Sequence, residues 1–173
     1  MADTHTHKLT PEELFCLEGC RSQKQYDKMR KGFEKEACAF CKLDRTFNKV
    51  LWEDDHAMVW KVPEDYLRDT LKLHALVVPK RHVRFEADLY DEEILSIHRG
   101  KQFVRNELGY QGGLSHVREG DMRLNAGTVP HLHYNIFEPN QTEEVRVPVF
   151  KDPSDRGANK QRALRFVINY TAE

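Results

Sequence analysis

The sequence contains no long hydrophobic run and no apolar leader. No apolar stretch among its 173 residues approaches the roughly 20 residues that a helix needs to cross a bilayer. The opening residues, Met-Ala-Asp-Thr-His-Thr-His-Lys, lack the apolar core of a signal peptide. We therefore expect a cytoplasmic protein with no membrane partner.

Net charge is nearly absent as well. The formal charge of -1 at pH 7 excludes a protein that is held to nucleic acid mainly by bulk positive charge. A local basic groove is compatible with this value, but the sequence shows no appended DNA-binding module. We therefore expect no nucleic-acid partner.

Cysteine is scarce, and its four copies are Cys16, Cys20, Cys38 and Cys41. In a reducing cytoplasm, metal binding is a better use of a close pair than a disulfide. Cys38-Ala-Phe-Cys41 alone is open to metal, redox or accidental interpretations. Cys16 and Cys20 have the spacing of two core cysteines on one helix face, although they could also join the other pair in a metal site.

The chain is long enough for one domain with a proper core and too short for two comfortable ones. Its 39% hydrophobic and 32% charged residues are typical of a soluble globular protein with a heavily charged surface. We found no internal repeat and no low-complexity segment. One domain with terminal extensions is expected.

Apolar periodicity and turn residues predict a mixed order of helices and strands. Thr10-Pro11-Glu12-Glu13 has the composition of a helix start, and Gly109 is expected to end the main helix. The predicted helices are Thr10–Cys20, Gln23–Glu36, Asp91–Leu108 and Lys160–Tyr170, and the predicted strands are Lys49–Trp52, Ala57–Val62, Leu71–Val78, Gly112–Val117, Thr128–Glu138 and Val145–Phe150.

The strand Thr128-Val-Pro-His-Leu-His-Tyr-Asn-Ile-Phe-Glu138 carries the main functional signal. Successive side chains of a strand point to opposite faces, so His131, His133 and Asn135 share one face. The apolar residues that alternate with them, from Leu132 to Ile136, would hold the strand on a core. Alternate side chains lie about 6.6 Å apart, which suits separate tasks within a phosphate-sized site.

These residues carry a family resemblance. His131-Leu-His-Tyr-Asn-Ile-Phe resembles the signature of the histidine-triad (HIT) superfamily, His-x-His-x-His followed by apolar residues, with Asn135 in place of the third histidine. His74-Ala-Leu-Val-Val-Pro-Lys-Arg-His82 is similar to the family's preceding strand, and Leu89-Tyr-Asp-Glu-Glu-Ile-Leu95 to the helix start that follows it. Order and separation agree, and the resemblance covers about residues 38 to 138.

The resemblance implies an α+β fold with an antiparallel five-stranded sheet and a long helix, commonly as a homodimer that acts on nucleotides. It places the domain at residues 38–142. An N-terminal tail and helical extension would occupy 1–37, and a C-terminal strand and helix extension, packed on the same domain, would occupy 143–173. The family's middle histidine, here His133, attacks the α-phosphorus of a nucleoside phosphate. Thr128 stands where the family has a Ser or Thr that contacts the phosphate.

Elementary chemistry also favours a nucleophilic role for His133. An unperturbed imidazole, with a pKa of about 6.5, is mostly neutral at pH 7 and is a competent nucleophile. A covalent adduct divides one hard substitution into two easier ones. Thr128, Asn135 and nearby backbone amides could donate hydrogen bonds to the phosphate oxygens. The alternative is that these histidines are ordinary strand residues with satisfied hydrogen bonds.

Asn135 is the main departure from the family. An amide donates a hydrogen bond but has no useful acid form, so it would serve a basic leaving group poorly. We therefore predict a leaving group that departs as a weakly basic anion, such as a phosphate, nucleotide or sugar phosphate. Family transferases and phosphorylases carry glutamine here, and Asn135 is chemically closest to those.

Further substrate contacts are less well marked. Lys61 stands where many relatives carry an acidic residue that binds ribose hydroxyls, and the loop before Thr128 is short and lacks the family's Gly-Gln pair. Asn125 is a candidate for a phosphate contact, Lys80 for attracting phosphate, and His74 for a supporting hydrogen bond. Ordinary loop and core roles are the alternatives.

A zinc site is also implied. Some HIT-related enzymes bind zinc with a cysteine pair, a histidine after Pro-x-x and the first histidine of the signature. On this resemblance the ligands are Cys38, Cys41, His82 and His131, a mixture that suits tetrahedral zinc. A closed site of four protein ligands would be structural and would fix the orientation of His131. The alternative is an unmetallated cysteine pair packed beneath the sheet.

The resemblance favours a nucleotide hydrolase or nucleotidyltransferase that cleaves a phosphoanhydride through a nucleotidyl-His133 intermediate. Candidate substrates are dinucleoside polyphosphates, nucleoside polyphosphates and nucleotide sugars. A first alternative is a phosphorylase, in which phosphate rather than water accepts the nucleotide. A second is a non-catalytic nucleotide-binding protein, consistent with Asn135, Lys61 and the short loop. A deadenylase that acts on nucleic-acid ends is disfavoured by the near-neutral charge.

Overall fold

The computed structural model describes Cys20 and residues 23–33, 38–64, 67–125 and 127–142, together with residues 144, 145 and 147. Within these ranges, no helix has the length and apolar content that crossing a membrane requires. The helices are α1 (Gln23–Phe33), α2 (Asp91–Glu107) and the short α3 (Met122–Asn125), and the strands are β1 (Val50–Glu53), β2 (Ala57–Lys61), β3 (Leu71–Pro79), β4 (Leu114–Arg118) and β5 (His133–Pro139).

The strands form one antiparallel sheet of five strands in the order β1-β2-β3-β5-β4. A tight turn joins β1 to β2, and Asp54 Oδ1 closes it by accepting the backbone N–H groups of His56 and Ala57 at 2.9 and 3.0 Å. β3 and β5 lie side by side at the centre, with Leu76 opposite Asn135. The predicted α+β fold with a five-stranded antiparallel sheet is therefore confirmed.

One face of the sheet packs against α2. The alternating apolar residues of β5, Tyr134 and Ile136, lie in this core together with Leu132, as their spacing predicts. Other core residues come from the central strands and from the helix: Ala57, Val59, Leu73, Ala75, Val77, Ile97 and Val104. This packing leaves the opposite face of β5 for polar side chains.

Local sequence sets both ends of α2. At its start, Glu93 Oε2 accepts the backbone N–H of Tyr90 at 2.9 Å, which satisfies a donor that the helix cannot pair internally. Past its end, Gly109 has a φ of 67°, in the left-handed region that favours glycine. The helix predicted for Asp91–Leu108 therefore matches the structure, apart from Leu108.

Gly100 lets α2 approach the sheet closely, because a methyl group there would lie 2.9 Å from Val77 Cγ1 and 3.0 Å from Val59 Cγ2. We expect Gly100→Ala to lower the free energy of unfolding by about 1 kcal/mol, since overpacking outweighs the better helix propensity of alanine. Gly112→Ala is the matched control, because nothing lies within 4 Å of its added methyl group. Equal stability of the two variants in urea unfolding would contradict this packing.

Two sequence-based boundaries were wrong, and others lie outside the described residues. The strand predicted from Thr128 begins only at His133, because Pro130 has no N–H to donate and the Leu132 N–H bonds to Val83 O at 2.8 Å instead of joining the ladder. Val145 and Val147 do not lie in a strand, although one was predicted for Val145–Phe150. The rest of that segment lies outside the described residues, as do residues 34–36 of the second predicted helix, Lys160–Tyr170, and Thr10–Cys20 except Cys20.

Candidate functional site

The face of the sheet away from α2 carries a row of polar side chains on β5. His133 and Asn135 are 6% and 4% exposed, so the surrounding residues strongly constrain both. Phe137 continues the row, with the ring of His74 from β3 at a centroid distance of 4.4 Å and that of His116 from β4 at 4.9 Å. Three adjacent strands therefore contribute imidazoles to one face.

The tautomer of His133 is fixed by its own strand. Its Nδ1 lies 2.7 Å from the backbone oxygen of His131, and a carbonyl oxygen only accepts, so Nδ1 carries the proton. In the neutral ring, the lone pair is therefore on Nε2. The ring of Phe40 packs edge-on against this imidazole, with 5.3 Å between centroids, and restricts its rotation. A neutral, oriented imidazole with its lone pair on Nε2 is a potential nucleophile.

Asn135 is oriented by His74. The His74 Nε2 donates to the Asn135 Oδ1 at 3.0 Å, so the amide oxygen is engaged and the amide nitrogen points elsewhere. That nitrogen, Nδ2, is buried and has no hydrogen-bond partner among the described residues. Because a buried donor without an acceptor is costly, Nδ2 is well placed to donate to a ligand.

Cys38, Cys41, His82 and His131 come together in one cluster, and their ligand atoms all lie within 4.8 Å of one another. Cys41 Sγ is 3.2 Å from His82 Nδ1, and both sulfurs are 3.5 Å from His131 Nδ1. A tetrahedral zinc ion, at about 2.3 Å from sulfur and about 2.1 Å from nitrogen, would separate these atoms by about 3.6 Å. The cluster therefore has the composition and the dimensions of a zinc site.

The protonation of the cluster also suits a cation. His131 Nε2 donates to Pro79 O at 2.9 Å, which leaves the lone pair on Nδ1, towards both sulfurs. The hydrogen bond with Cys41 and the nearby imidazoles lower the pKa of the Cys38 thiol, whereas the neighbouring Cys38 and burial raise the pKa of Cys41. Metal ligands of this kind bind as thiolates, so a divalent cation would displace the thiol protons of this pair.

The ligands of this cluster come from three separate segments. Cys38 and Cys41 lie in a turn closed by the Lys42 N–H, which donates to the Cys38 O at 3.0 Å. His82 follows β3, where Arg81 is held by Glu93 of α2 through bonds of 2.8 and 2.6 Å. His131 directly precedes β5. A bound ion would therefore tie the turn to both central strands.

Phe40, between the two cysteines, links this cluster to the polar row. Its ring lies 5.7 Å from that of His131, 5.3 Å from that of His133 and 5.4 Å from that of Trp60. The apolar residues packed around Phe40 and Trp60 are Met58, Leu76, Val78, Leu43, Val50 and Val62. An apolar wall thus adjoins the imidazole of His133.

Three predicted substrate-binding residues differ in their surroundings. Lys80 Nζ pairs with Glu53 Oε2 at 2.9 Å. Asn125 is engaged within its own loop, where its Nδ2 donates to Glu119 O at 2.6 Å and its Oδ1 accepts the Gly127 N–H at 2.9 Å. Thr128 is half-buried in the segment before His131, and Lys61 is exposed at the end of β2.

Two residues of this face were missed from the sequence. Arg118 lies opposite His133 in the β4–β5 register, and His116 lies opposite Asn135. Residues opposite each other in an antiparallel pair project to the same face, so both belong to the polar row. The alternation of Leu114, His116 and Arg118 could have revealed this face, but only with the register of β4 on β5.

Other candidates lie away from the cluster. Cys20 is buried but is not one of the grouped ligands, and Cys16 lies outside the described residues. Trp52 stacks on Phe103 of α2 at 6.4 Å, on the opposite side of the sheet. Trp52 is therefore a core residue, whereas Phe40 and Trp60 lie on the side of the polar row.

No family model matches the chain. An uncharacterized HIT-like protein of Methanocaldococcus jannaschii is 28% identical over 105 residues, which cover 58% of this chain and 77% of that protein. A histidine triad protein from Clostridium difficile has 25% identity and a TM-score of 0.45, over 61% of this chain and 92% of that one. A zinc-bound histidine triad family protein from Mycobacterium smegmatis has 20% identity and a TM-score of 0.43, over 68% and 84% of the two chains.

The chain resembles HIT proteins in its motif, its fold and its similarity to the archaeal relative. The His-x-His-x-Asn signature lies at the centre of an antiparallel five-stranded sheet, and the strand and helix that resemble the family precede it in the expected order. The relative matches across more than half of the chain. In motif, fold and sequence, the chain is thus similar to HIT-like proteins.

Proposed function

We propose that this protein is a HIT-type nucleotide hydrolase or nucleotidyltransferase that acts through a nucleotidyl-His133 intermediate. One observation carries the proposal: the hydrogen bond of 2.7 Å from His133 Nδ1 to His131 O keeps the lone pair on Nε2. A neutral imidazole held in this tautomer needs no general base to become a nucleophile, because its Nε2 carries no proton.

In the first half-reaction, His133 Nε2 bonds to the α-phosphorus and the bridging P–O bond breaks, with its electron pair leaving on the departing oxygen. Asn135 Nδ2 and Thr128 donate hydrogen bonds to phosphate oxygens as charge builds on them. In the second half-reaction, water or another acceptor attacks the same phosphorus and releases Nε2. The nitrogen at Nδ1 keeps its proton throughout.

The proposed substrates are nucleoside phosphoanhydrides, which include dinucleoside polyphosphates, nucleoside polyphosphates and nucleotide sugars. The half-buried ring of Phe40, which packs against the buried Trp60 and lies 5.3 Å from the ring of His133, offers flat apolar contact for a nucleoside. Asn135 favours a phosphoanhydride substrate over a phosphoramidate. The phosphate that departs from an anhydride is a weak base and needs no proton from a general acid.

We propose that zinc occupies the Cys38, Cys41, His82 and His131 cluster and has a structural role. Four protein ligands complete a tetrahedral shell, so such an ion keeps no open position for substrate. Its contribution would be to hold the segment before β5. His131 would thereby present the backbone oxygen that fixes the tautomer of His133.

The proposal is tested by intact-mass analysis after incubation with nucleoside triphosphates, dinucleoside polyphosphates and nucleotide sugars. A mass increase equal to one nucleoside monophosphate less one water, the mass of a nucleotidyl group, is expected with at least one of them. Product analysis with and without inorganic phosphate then separates a hydrolase from a phosphorylase. Binding of nucleotide without any adduct or turnover would support the non-catalytic alternative.

Asn135→His is expected to broaden the range of leaving groups that the enzyme can release. A histidine can protonate a departing amine, and general acid catalysis contributes about 10²- to 10⁴-fold. We expect the rate with a nucleoside phosphoramidate, relative to a phosphoanhydride, to rise at least about 10-fold. Asn106→His on α2 is the control for added histidine. An unchanged ratio in steady-state assays would contradict the role assigned to Asn135.

A further inference from the structure

We propose that Glu93 of α2, acting through Arg81, is a positioning residue for the nucleophile His133. The pair holds the segment of residues 79–83, at the end of β3, and this segment in turn holds the backbone around His131. The inference rests on the proposed function, because it names what keeps the imidazole of His133 in its reactive tautomer.

Arg81 and Glu93 form a forked ion pair. Arg81 Nε donates to Glu93 Oε1 at 2.8 Å, and Arg81 Nη2 donates to Glu93 Oε2 at 2.6 Å. The side chain of Glu93 is 4% exposed, whereas that of Arg81 is 39% exposed. Two parallel hydrogen bonds fix direction as well as distance, so the pair sets where residue 81 lies relative to α2.

Further contacts at the start of α2 hold both partners. Glu93 Oε2 also accepts the backbone N–H of Tyr90 at 2.9 Å, and Arg81 Nη2 also donates to Asp88 O at 2.7 Å. The guanidinium carbon of Arg81 lies 4.2 Å from the centroid of the Tyr90 ring. Arg81 is therefore held by a carboxylate, a carbonyl oxygen and an aromatic face.

The 79–83 segment carries two backbone acceptors for the residues next to the nucleophile. Pro79 O accepts His131 Nε2–H at 2.9 Å, and Val83 O accepts the Leu132 N–H at 2.8 Å. Arg81 stands midway between these two acceptors in the sequence. A shift of Arg81 would therefore be passed to both hydrogen bonds.

The β1–β2 hairpin provides the other anchor of this segment. The Lys80 N–H donates to His56 O at 2.7 Å, and Lys80 Nζ pairs with Glu53 Oε2 at 2.9 Å. Because both contacts lie on the hairpin, they leave the orientation of the segment towards α2 unspecified. Arg81 and Glu93 supply that second anchor.

The last step links His131 to the chemistry. His133 Nδ1 donates to His131 O at 2.7 Å, and a hydrogen bond of this kind weakens as its length and angle depart from the optimum. If the backbone of His131 moves, the tautomer with its proton on Nε2 becomes populated. That tautomer has no lone pair on Nε2 and cannot bond to phosphorus. Loss of an outer partner that orients a histidine typically costs about 10- to 100-fold in activity.

Nitrogen NMR of the histidine rings in the zinc-loaded full chain tests this positioning without any substrate. In the wild type, His133 should show a protonated Nδ1 and a bare Nε2 with well-separated shifts. In Glu93→Gln the two shifts should move towards each other, because the second tautomer is populated. Arg81→Gln should give the same result and replaces a more exposed side chain. Unchanged His133 shifts in both variants would overturn the inference.

Glu138→Gln is the matched control. Glu138 is also a buried carboxylate in an ion pair, with Lys72 Nζ at 2.7 Å, and it also accepts a backbone N–H, that of Gln111 at 3.1 Å. It lies at the opposite end of β5 from His133. Glu138→Gln should lower the melting temperature but leave the His133 shifts as in the wild type. Equal movement of these shifts in Glu138→Gln would reduce the effect to general stability and overturn the positioning role.

Adduct kinetics with a nucleoside triphosphate give the second readout. Glu93→Gln should slow adduct formation at saturating substrate about 10- to 100-fold, with the half-saturating concentration changed by less than about 3-fold. A loss confined to the half-saturating concentration would contradict the inference. If the wild-type chain forms no adduct, the proposed function fails, and the NMR shifts alone decide whether Glu93 positions His133.

Discussion

Replacing His133 by alanine is expected to lower turnover of a nucleotide substrate by at least about 10⁴-fold, because the variant has no atom to bond to phosphorus. The affinity for a nucleoside monophosphate should change far less, since the ring of Phe40 and the amide of Asn135 remain. Steady-state kinetics, together with calorimetric titration of the monophosphate, measure the two effects separately.

His98→Ala is the matched control, because His98 is an exposed histidine of α2 on the other side of the sheet. It should retain wild-type turnover. Residual turnover of His133→Ala within about 10-fold of wild type, with an unchanged melting temperature, would assign catalysis to another group. The melting temperature also shows whether a lost activity reflects a lost fold.

The second large effect is on stability. Cys38→Ser is expected to remove the bound metal and to lower the melting temperature by about 8 to 16 °C. A ligand present at about 1,000 times its dissociation constant stabilises the native state by about 4 kcal/mol. Each kcal/mol corresponds to about 2–4 °C for a chain of this size. Metal analysis and thermal unfolding in the presence and absence of a chelator measure both quantities.

Cys20→Ser is the control, because Cys20 is also a buried cysteine but does not belong to the ligand cluster. It should keep one zinc per chain, and its melting temperature should still fall on addition of chelator. Cys38→Ser should show no such response. If Cys16→Ala loses zinc while Cys38→Ala retains it, the ligands are not those of the cluster.

Local sequence was sufficient for the hairpin and the long helix. Apolar alternation marked β2 and β3, while Glu93 and Gly109 marked the ends of α2, because each signal acts within a few residues of its effect. The start of β5 was misplaced because the backbone before His133 bonds to Val83, a partner distant in sequence. Such a contact leaves no local pattern.

In the candidate site, too, the sequence indicated some residues, whereas others became apparent only from contacts between distant parts of the chain. The resemblance grouped Cys38, Cys41, His82 and His131, and the structure places their ligand atoms together. It gave no signal for Arg118, whose position beside His133 depends on how β4 aligns with β5. The neighbours of Lys80 in the sequence likewise gave no signal for its ion pair with Glu53 of the hairpin. Both contacts join residues that are distant in the sequence or depend on strand register.

The most direct measurement is the identification of the modified atom after rapid mixing with a reactive nucleoside triphosphate. Peptide mapping and phosphorus NMR of the quenched protein should find an acid-labile phosphoramidate on Nε2 of His133. The wild-type adduct should disappear on addition of an acceptor at a rate no slower than turnover. An adduct on any other residue would contradict the account. So would turnover without an adduct, or with an adduct that forms or decays more slowly than turnover.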